Sequence, residues 1–309
     1  MSSSIMSKGV HRFAVLVAGA TFFLIIAGAN VTSHDAGLAV PDWPLSFGKF
    51  FPKMVGNVFW EHGHRMIATG VGMLTIALAL IIQFKERRTW VKRLGWTALA
   101  AVIAQGLLGG LTVKLLLPLA VSAAHATLAQ LFFLITVSLA VFTSRSWIEP
   151  PDTAVEDSDA PSTRSLTVLA LIVILVQLVL GATLRHSATW DEELPFGLLL
   201  AHIGGAITVA LVLGFTVTRV LRRHGTEKYL ARPALIATGL LITQLGLGVA
   251  AYLARRASPS DPQPLTYMVS LTVAHVACGA LVFAATIVLM LRAFRLMRGT
   301  QRDYALAAA

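Results

Sequence analysis

Eight apolar runs, each long enough to cross a hydrocarbon layer, occupy most of this 309-residue chain. They lie at about 13–32, 61–83, 94–113, 119–142, 166–185, 198–220, 233–254 and 268–292. A span needs roughly 20 apolar residues. In lipid, no water is available for backbone N–H and C=O groups, so each run must satisfy its own polar groups as a helix. With 56% hydrophobic and 13% charged residues, the composition excludes an ordinary soluble domain. The expectation is an all-α membrane protein of eight transmembrane helices.

The basic residues orient it. The amino terminus and the loops after every second span hold Lys8, Arg12, Lys85, Arg87, Arg88, Lys92, Arg93, Arg145, Arg164, Arg219, Arg222, Arg223, Lys228, Arg232, Arg292, Arg295, Arg298 and Arg302, most of the 25 Lys and Arg. The positive-inside rule puts that side, and both termini, in the cytoplasm. The net charge of +10 then follows from topology and anionic lipid. No basic and aromatic platform accompanies it, so no nucleic-acid partner is expected. The first span outruns a signal-peptide core and lacks a small-residue cleavage site, so it is read as a retained helix. The absence of an Arg- and Ser-rich leader points to a bacterial plasma membrane. The single cysteine, Cys278, rules out an intramolecular disulfide and reads as a buried packing residue.

The chain also repeats itself. Gln, two residues, Leu, Gly closes three odd-numbered spans, at Gln105–Gly109, Gln177–Gly181 and Gln244–Gly248; the first span ends in Ala27-Gly28 without the Gln. Gly28-Ala29-Asn30-Val31 with His34 recurs as Gly181-Ala182-Thr183-Leu184 with His186. Spans one to four thus match spans five to eight, giving two pseudo-symmetric four-helix bundles, 1–142 and 166–309. The linker 143–165 carries Pro150, Pro151, Pro161, Glu149, Asp152, Glu156, Asp157 and Asp159 and reads as solvated.

Every second span carries a histidine one or two turns inside its non-cytoplasmic end: His64, His125, His202 and His275. An ionisable residue in a membrane is costly and marks function by default. Two facing histidines per bundle suit one haem each, because haem iron takes axial imidazoles and bundle cores build such sites from facing helices. Zinc or copper would want further ligands, and no Cys, Met or carboxylate cluster supplies them. The plain alternative is four hydrogen-bonded packing histidines.

The halves differ. Glu61 lies three residues before His64 in Glu61-His62-Gly63-His64-Arg65 and shares its helical face, whereas no acid stands beside His202. Glu61 is a candidate for proton or water chemistry, or else an acid placed at a helix start by the macrodipole. His62 reads as interfacial, with ligand substitution as an alternative. The loop Gly37-Leu38-Ala39-Val40-Pro41-Asp42-Trp43-Pro44-Leu45-Ser46-Phe47-Gly48 has the prolines and tryptophan of a rigid cap over a bundle mouth. Arg65 and Arg185 are candidate contacts for porphyrin propionates, with snorkelling as the alternative.

The Gly-Leu-x-x-Pro-Asp-Trp-Pro loop, the Glu61-x-x-His64-Arg65 motif and the four spaced histidines resemble the haem A synthase family over nearly the whole chain. In one class of that family, cysteines flank Pro-Asp-Trp-Pro-Leu; here those positions are Val40 and Ser46. The resemblance implies oxidation of a porphyrin methyl of haem O to a formyl, giving haem A for cytochrome oxidase assembly. It implies haem O on His64 and His125, haem B as cofactor on His202 and His275, Glu61 as the catalytic residue in proton or water chemistry, and Pro41, Asp42, Trp43 and Pro44 as a lid. Haem O synthase and cytochrome oxidase assembly factors are the partners it suggests. Beside it stand a b-type di-haem electron-transfer cytochrome, which needs neither Glu61 nor a lid, and a haem transporter or chaperone, which the repeat favours.

Overall fold

The computed structural model describes residues 8–150, 155–158, 160–190, 192–257 and 264–298. The eight expected spans are the helices α1 (Lys8–Ser33), α2 (Asn57–Lys85), α3 (Thr89–Lys114), α4 (Leu119–Phe142), α6 (Thr163–His186), α7 (Phe196–His224), α8 (Lys228–Ala257) and α9 (Thr266–Leu296), with one turn, α5 (Arg145–Ile148), between the halves. The shortest, at 24 residues, rises about 36 Å, enough for a hydrocarbon layer of about 30 Å. This is a multi-pass membrane protein.

Helix pairing is the same in both halves. α1 packs on α2 and α4, and α3 on α2 and α4; likewise α6 packs on α7 and α9, and α8 on α7 and α9. The seam joins α4 to α9, α1 to α9 and α4 to α6, pairings that interchange when the halves are exchanged. Ile25, Phe133, Ala280 and Ala284 are buried in this seam, and Phe22 stacks on Phe133 with centroids 5.7 Å apart.

Packing is uneven along the membrane normal. The first core gathers Val10, Ala14 and Val17 with Leu78, Ile82, Val91, Ala98 and Leu139. The second gathers Ala170, Ile174, Leu213, Val217, Leu230, Ala234, Phe283 and Leu289. All lie on the basic side of the four histidines. The basic half of each bundle is close-packed, while the histidine layer beyond it is half-buried.

The segment between the halves is less free than a solvated linker. Arg292 of α9 is 8% exposed and donates to the Ser146 carbonyl at 3.0 Å and to Ser146 Oγ at 2.7 Å. Val155 and Glu156 form a short parallel ladder with Met297 and Arg298. The buried guanidinium needs acceptors, and the linker backbone supplies them. Pro151, Asp152, Asp159 and Arg302 lie outside the described residues.

Candidate functional site

Each layer histidine rests on a glycine of the preceding helix. A Cβ on Gly28, Gly109, Gly181 or Gly248 would come within 3.0, 3.1, 3.0 or 2.9 Å of Cε1 of His64, His125, His202 or His275. No larger residue fits these seats without moving the ring. The last glycine of the Gln-x-x-Leu-Gly repeat is therefore an imidazole seat, and the geometry recurs four times.

The Gln of the repeat reaches the same histidine. Gln105 Nε2 donates to the His125 carbonyl at 2.9 Å, and Gln177 Nε2 to the His202 carbonyl at 2.9 Å. Their amides also approach the rings, with Gln177 Nε2 3.0 Å from His202 Nδ1 and Gln105 Nε2 3.4 Å from His125 Nε2. Gln244 Nε2 lies 3.3 Å from His275 Nε2.

These residues fit a haem. The Nδ1 atoms of His64, His125 and His275 are buried without a hydrogen-bond partner, an arrangement that costs about 1–3 kcal/mol per group unless something else satisfies the ring. The His202 and His275 rings lie 6.4 Å apart, centroid to centroid. A metal–imidazole bond is about 2 Å, so two of them, plus about 1 Å from each nitrogen to its ring centre, span about 6 Å. Among the described residues no group of three or more His, Cys, Asp or Glu gathers to hold a bare metal ion. Paired imidazoles suit an iron whose equatorial ligands come from a porphyrin.

Over the amino-terminal bundle lies the Pro-Asp-Trp-Pro loop, held from below by the α2 motif. Glu61, 4% exposed, accepts from the Val40 amide at 2.7 Å and pairs with Arg65. Arg65 donates to the carbonyls of Asp42 and Leu45 at 2.8 and 3.0 Å. His62 Nδ1 meets Ser46 Oγ at 2.8 Å. Val40 and Ser46 are fully buried. At the tip, Asp42 accepts from the Phe47 and Gly48 amides at 2.6 and 2.8 Å. The Gly48 bond foremost holds its carboxyl below the usual aspartate value, with partial desolvation opposing and the Phe47 amide assisting. Trp43 lies on α3, where a Cβ on Gly110 would meet the indole Cδ2 at 2.7 Å.

Pro41 and Pro44 are borne on this loop, Pro41 exposed at its outer face. His62, read as interfacial, is 6% exposed because the loop folds back over it. Arg65 faces loop carbonyls. Arg185 donates to the Thr32 carbonyl at 2.7 Å and lies over Trp190, whose Nε1 donates to the Ser33 carbonyl at 3.0 Å. It thus ties α6 to the end of α1, across the seam. Cys278 Sγ contacts the Leu240 carbonyl at 3.4 Å.

Sequence reasoning took the Gln repeat only as a mark of duplication, and the pairing of each Gln and Gly with a histidine went unread. The signal was there: the repeat precedes three of the four histidine-bearing spans by one loop, and its glycine precedes all four.

Comparison with known proteins gives this geometry a family. Residues 53–190 match the COX15-CtaA family model, cytochrome oxidase assembly protein. A haem A synthase of Symbiobacterium thermophilum is 32% identical over 247 residues, covering 72% of this chain and 79% of that protein. The chain belongs to the haem A synthase family. A second haem A synthase, of Shouchella clausii, is 26% identical over 278 residues, covering 82% of this chain and 90% of the relative. A protoheme IX farnesyltransferase of Haloarcula marismortui is 41% identical over 64 residues, 19% of this chain and 13% of that protein. Haem A synthases thus align across both helix sets of this chain.

Proposed function

We propose that this protein oxidises a porphyrin methyl of haem O to a formyl, through successive hydroxylations, and so supplies haem A for cytochrome oxidase assembly. The observation that carries the reading is the four-fold seat, in which four histidines rest on four glycines, with the His202 and His275 rings 6.4 Å apart. In this assignment His64 and His125 bind the substrate haem O, and His202 and His275 hold a resident haem B. The domain division follows: residues 1–142 serve the substrate, 143–165 connect, and 166–309 keep the cofactor.

Haem B supplies one-electron redox capacity when bound. The chain's own residues do the rest. The loop at Pro41, Asp42, Trp43 and Pro44 excludes water above the substrate, and Trp43 closes it against α3. Glu61, one turn before His64, handles the proton beside the reacting methyl. Arg65 positions the loop through its carbonyls. Arg185, near the outer face, is the candidate propionate contact that also fastens the two helix sets together, and Arg65 is the second.

The basic residues at the starts of α1, α3, α6 and α8 and the ends of α2, α7 and α9 support a bacterial plasma-membrane protein with both termini in the cytoplasm. The short likeness to a protoheme IX farnesyltransferase supports haem O synthase as a neighbour, since one protein's product is the other's substrate. Cytochrome oxidase assembly factors take the product.

The test is a host that makes haem O but has lost its own haem A synthase. Expression of this chain restores extractable haem A, and His64→Ala or His125→Ala abolishes it. No formyl haem from the wild-type chain overturns the reading. The cofactor assignment is checked in the purified protein, where His202→Ala or His275→Ala removes the low-spin haem signal, because bis-imidazole ligation needs both rings. An unchanged spectrum in both variants contradicts it.

A further inference from the structure

The connection between α1 and α2 continues well past the Pro-Asp-Trp-Pro tip. Its trailing arm, Phe47-Gly48-Lys49-Phe50-Phe51-Pro52-Lys53-Met54-Val55, carries five large apolar residues and two lysines. Phe50 is 77% exposed and Phe51 80%, and Phe47, Met54 and Val55 are exposed beside them. The matching connection of the second half, 187–195 between α6 and α7, is shorter and carries Glu192 and Glu193 but no phenylalanine. Large apolar side chains gathered on a surface mark a place where something binds.

Two contacts fix where the arm lies. Ser46, immediately before it, meets His62 Nδ1 at 2.8 Å and exchanges backbone hydrogen bonds of 3.0 Å with Lys49. Near the other end, Met54 Cε lies 3.9 Å from where a Cβ on Gly63 would stand. Gly63 falls between Phe59 and Met66 on a stripe of α2 that continues to Met73, all three of these side chains being exposed. That stripe is the face α2 turns to lipid, and the arm lies across it. Depth agrees with this placement. With 29 residues, α2 rises about 43 Å, more than the roughly 30 Å of a hydrocarbon layer. Taking Lys85 as the boundary on the basic side, the opposite boundary falls about 20 residues earlier, near Arg65. His62 and Gly63 stand within one turn of it.

We propose that Phe47–Val55 is a wedge inserted into the lipid leaflet on the side away from the basic loops, with Phe50 and Phe51 among acyl chains and Lys49 and Lys53 on lipid phosphates. The rings offer apolar area at the level where acyl chains begin, and the lysines flank them with donors at the level where phosphates lie. Among the described residues neither lysine forms an ion pair, which leaves both ammonium groups for the headgroups. Because Ser46 joins the arm to His62, insertion also holds the trailing end of the Pro-Asp-Trp-Pro loop. The loop is then clamped from two sides, by Glu61 and Arg65 within the bundle and by the bilayer outside it. The inference uses no haem assignment and stands or falls apart from the proposed function.

The experiment places a nitroxide on the full-length protein, one site at a time in a Cys278→Ala background, in nanodiscs of phosphatidylethanolamine and phosphatidylglycerol. Collision rates with dissolved oxygen, which concentrates among acyl chains, and with a water-soluble nickel chelate report the depth of each label. Labels at Phe50→Cys and Phe51→Cys are expected to meet oxygen several times more often than a label at Glu193→Cys in the α6–α7 connection, and to lose most of their collisions with the chelate. If the phenylalanine variants do not fold, Val55→Cys, exposed on the same arm, carries the same test. Chelate collisions on the arm equal to those at Glu193 would put it in water and overturn the proposal. Exclusion of both reagents overturns it as well, because the arm is then covered by protein, whether a second copy or a different partner.

Discussion

The Val40 amide donates to Glu61 Oε2 across 2.7 Å, so the loop that covers the amino-terminal bundle and the acid one turn before His64 are mechanically joined. Glu61 holds the loop, and in the proposed reaction the same carboxylate also serves the substrate haem. The Arg65 guanidinium, which pairs with Glu61 and donates to the Asp42 and Leu45 carbonyls, makes the joint a network.

Substitution separates the two jobs. Glu61→Gln keeps an acceptor for Val40 and is expected to retain fold, loop and resident haem while haem A formation falls by at least tenfold, because the ionisable group is gone. Glu61→Ala removes the acceptor as well, leaves Arg65 held by the loop carbonyls alone, and raises amide exchange across residues 36–48. Haem A yield and hydrogen exchange measured on both variants decide it. A normal yield from Glu61→Gln reduces Glu61 to a loop anchor.

The seat of Trp43 on α3 gives a second test. A methyl at Gly110 would stand 2.7 Å from the indole, and such overpacking costs about 1–3 kcal/mol. Gly110→Ala is expected to displace Trp43, shift its fluorescence toward the solvent-exposed range and reduce haem A formation as Trp43→Ala does. An unaltered emission spectrum with full activity would mean that the loop does not close on α3.

Asp42 carries the pH dependence of the loop tip. Hydrogen bonds from the Gly48 and Phe47 amides depress its folded-state pKa below the ordinary aspartate value of 3.8. A depressed acid stabilises above its unfolded pKa and loses that contribution as pH falls through the folded one, so this contribution to the tip is complete at neutral pH and is lost in acid. Asp42→Asn removes the charge that the two amides serve. It is expected to expose Phe47 and Gly48 to faster exchange at neutral pH and to flatten the acid transition; identical exchange in both proteins would refute the account.

Cys278 is expected to be dispensable. Its thiol is buried against the Leu240 carbonyl, and a lone thiol has no intramolecular disulfide cycle. In the loop, Val40 and Ser46 are each bound to the α2 motif by hydrogen bonds. Cys278→Ala should make haem A at the wild-type rate. A folded, haem-loaded variant without product would assign that sulfur a role in the reaction.

The sequence made the spans and the histidine layer legible because both rest on large local effects: the length of an apolar run and the cost of an ionisable group in lipid. Pairing across helices was not legible. The Gln105 amide meets His125 only after α3 and α4 settle into register, and nothing in the run from Gln105 to Gly109 names its partner. The Val40–Glu61 bond closes over 21 residues of chain, so a motif read as chemistry turned out also to hold a loop. The segment after Phe142 read as solvated because its composition is polar, yet Arg292, 146 residues from Ser146, draws it against α9.

The central claim is that one helix set serves a transient haem and the other a resident one. The most direct measurement is chromatographic identification of the haems extracted from the purified protein, in wild type and in His64→Ala. Wild type should yield haem B together with haem O, its hydroxylated intermediate or haem A, and His64→Ala should yield haem B alone. Two haem B per wild-type chain, with no haem O or oxidised product, would contradict the account and make this a di-haem electron-transfer cytochrome.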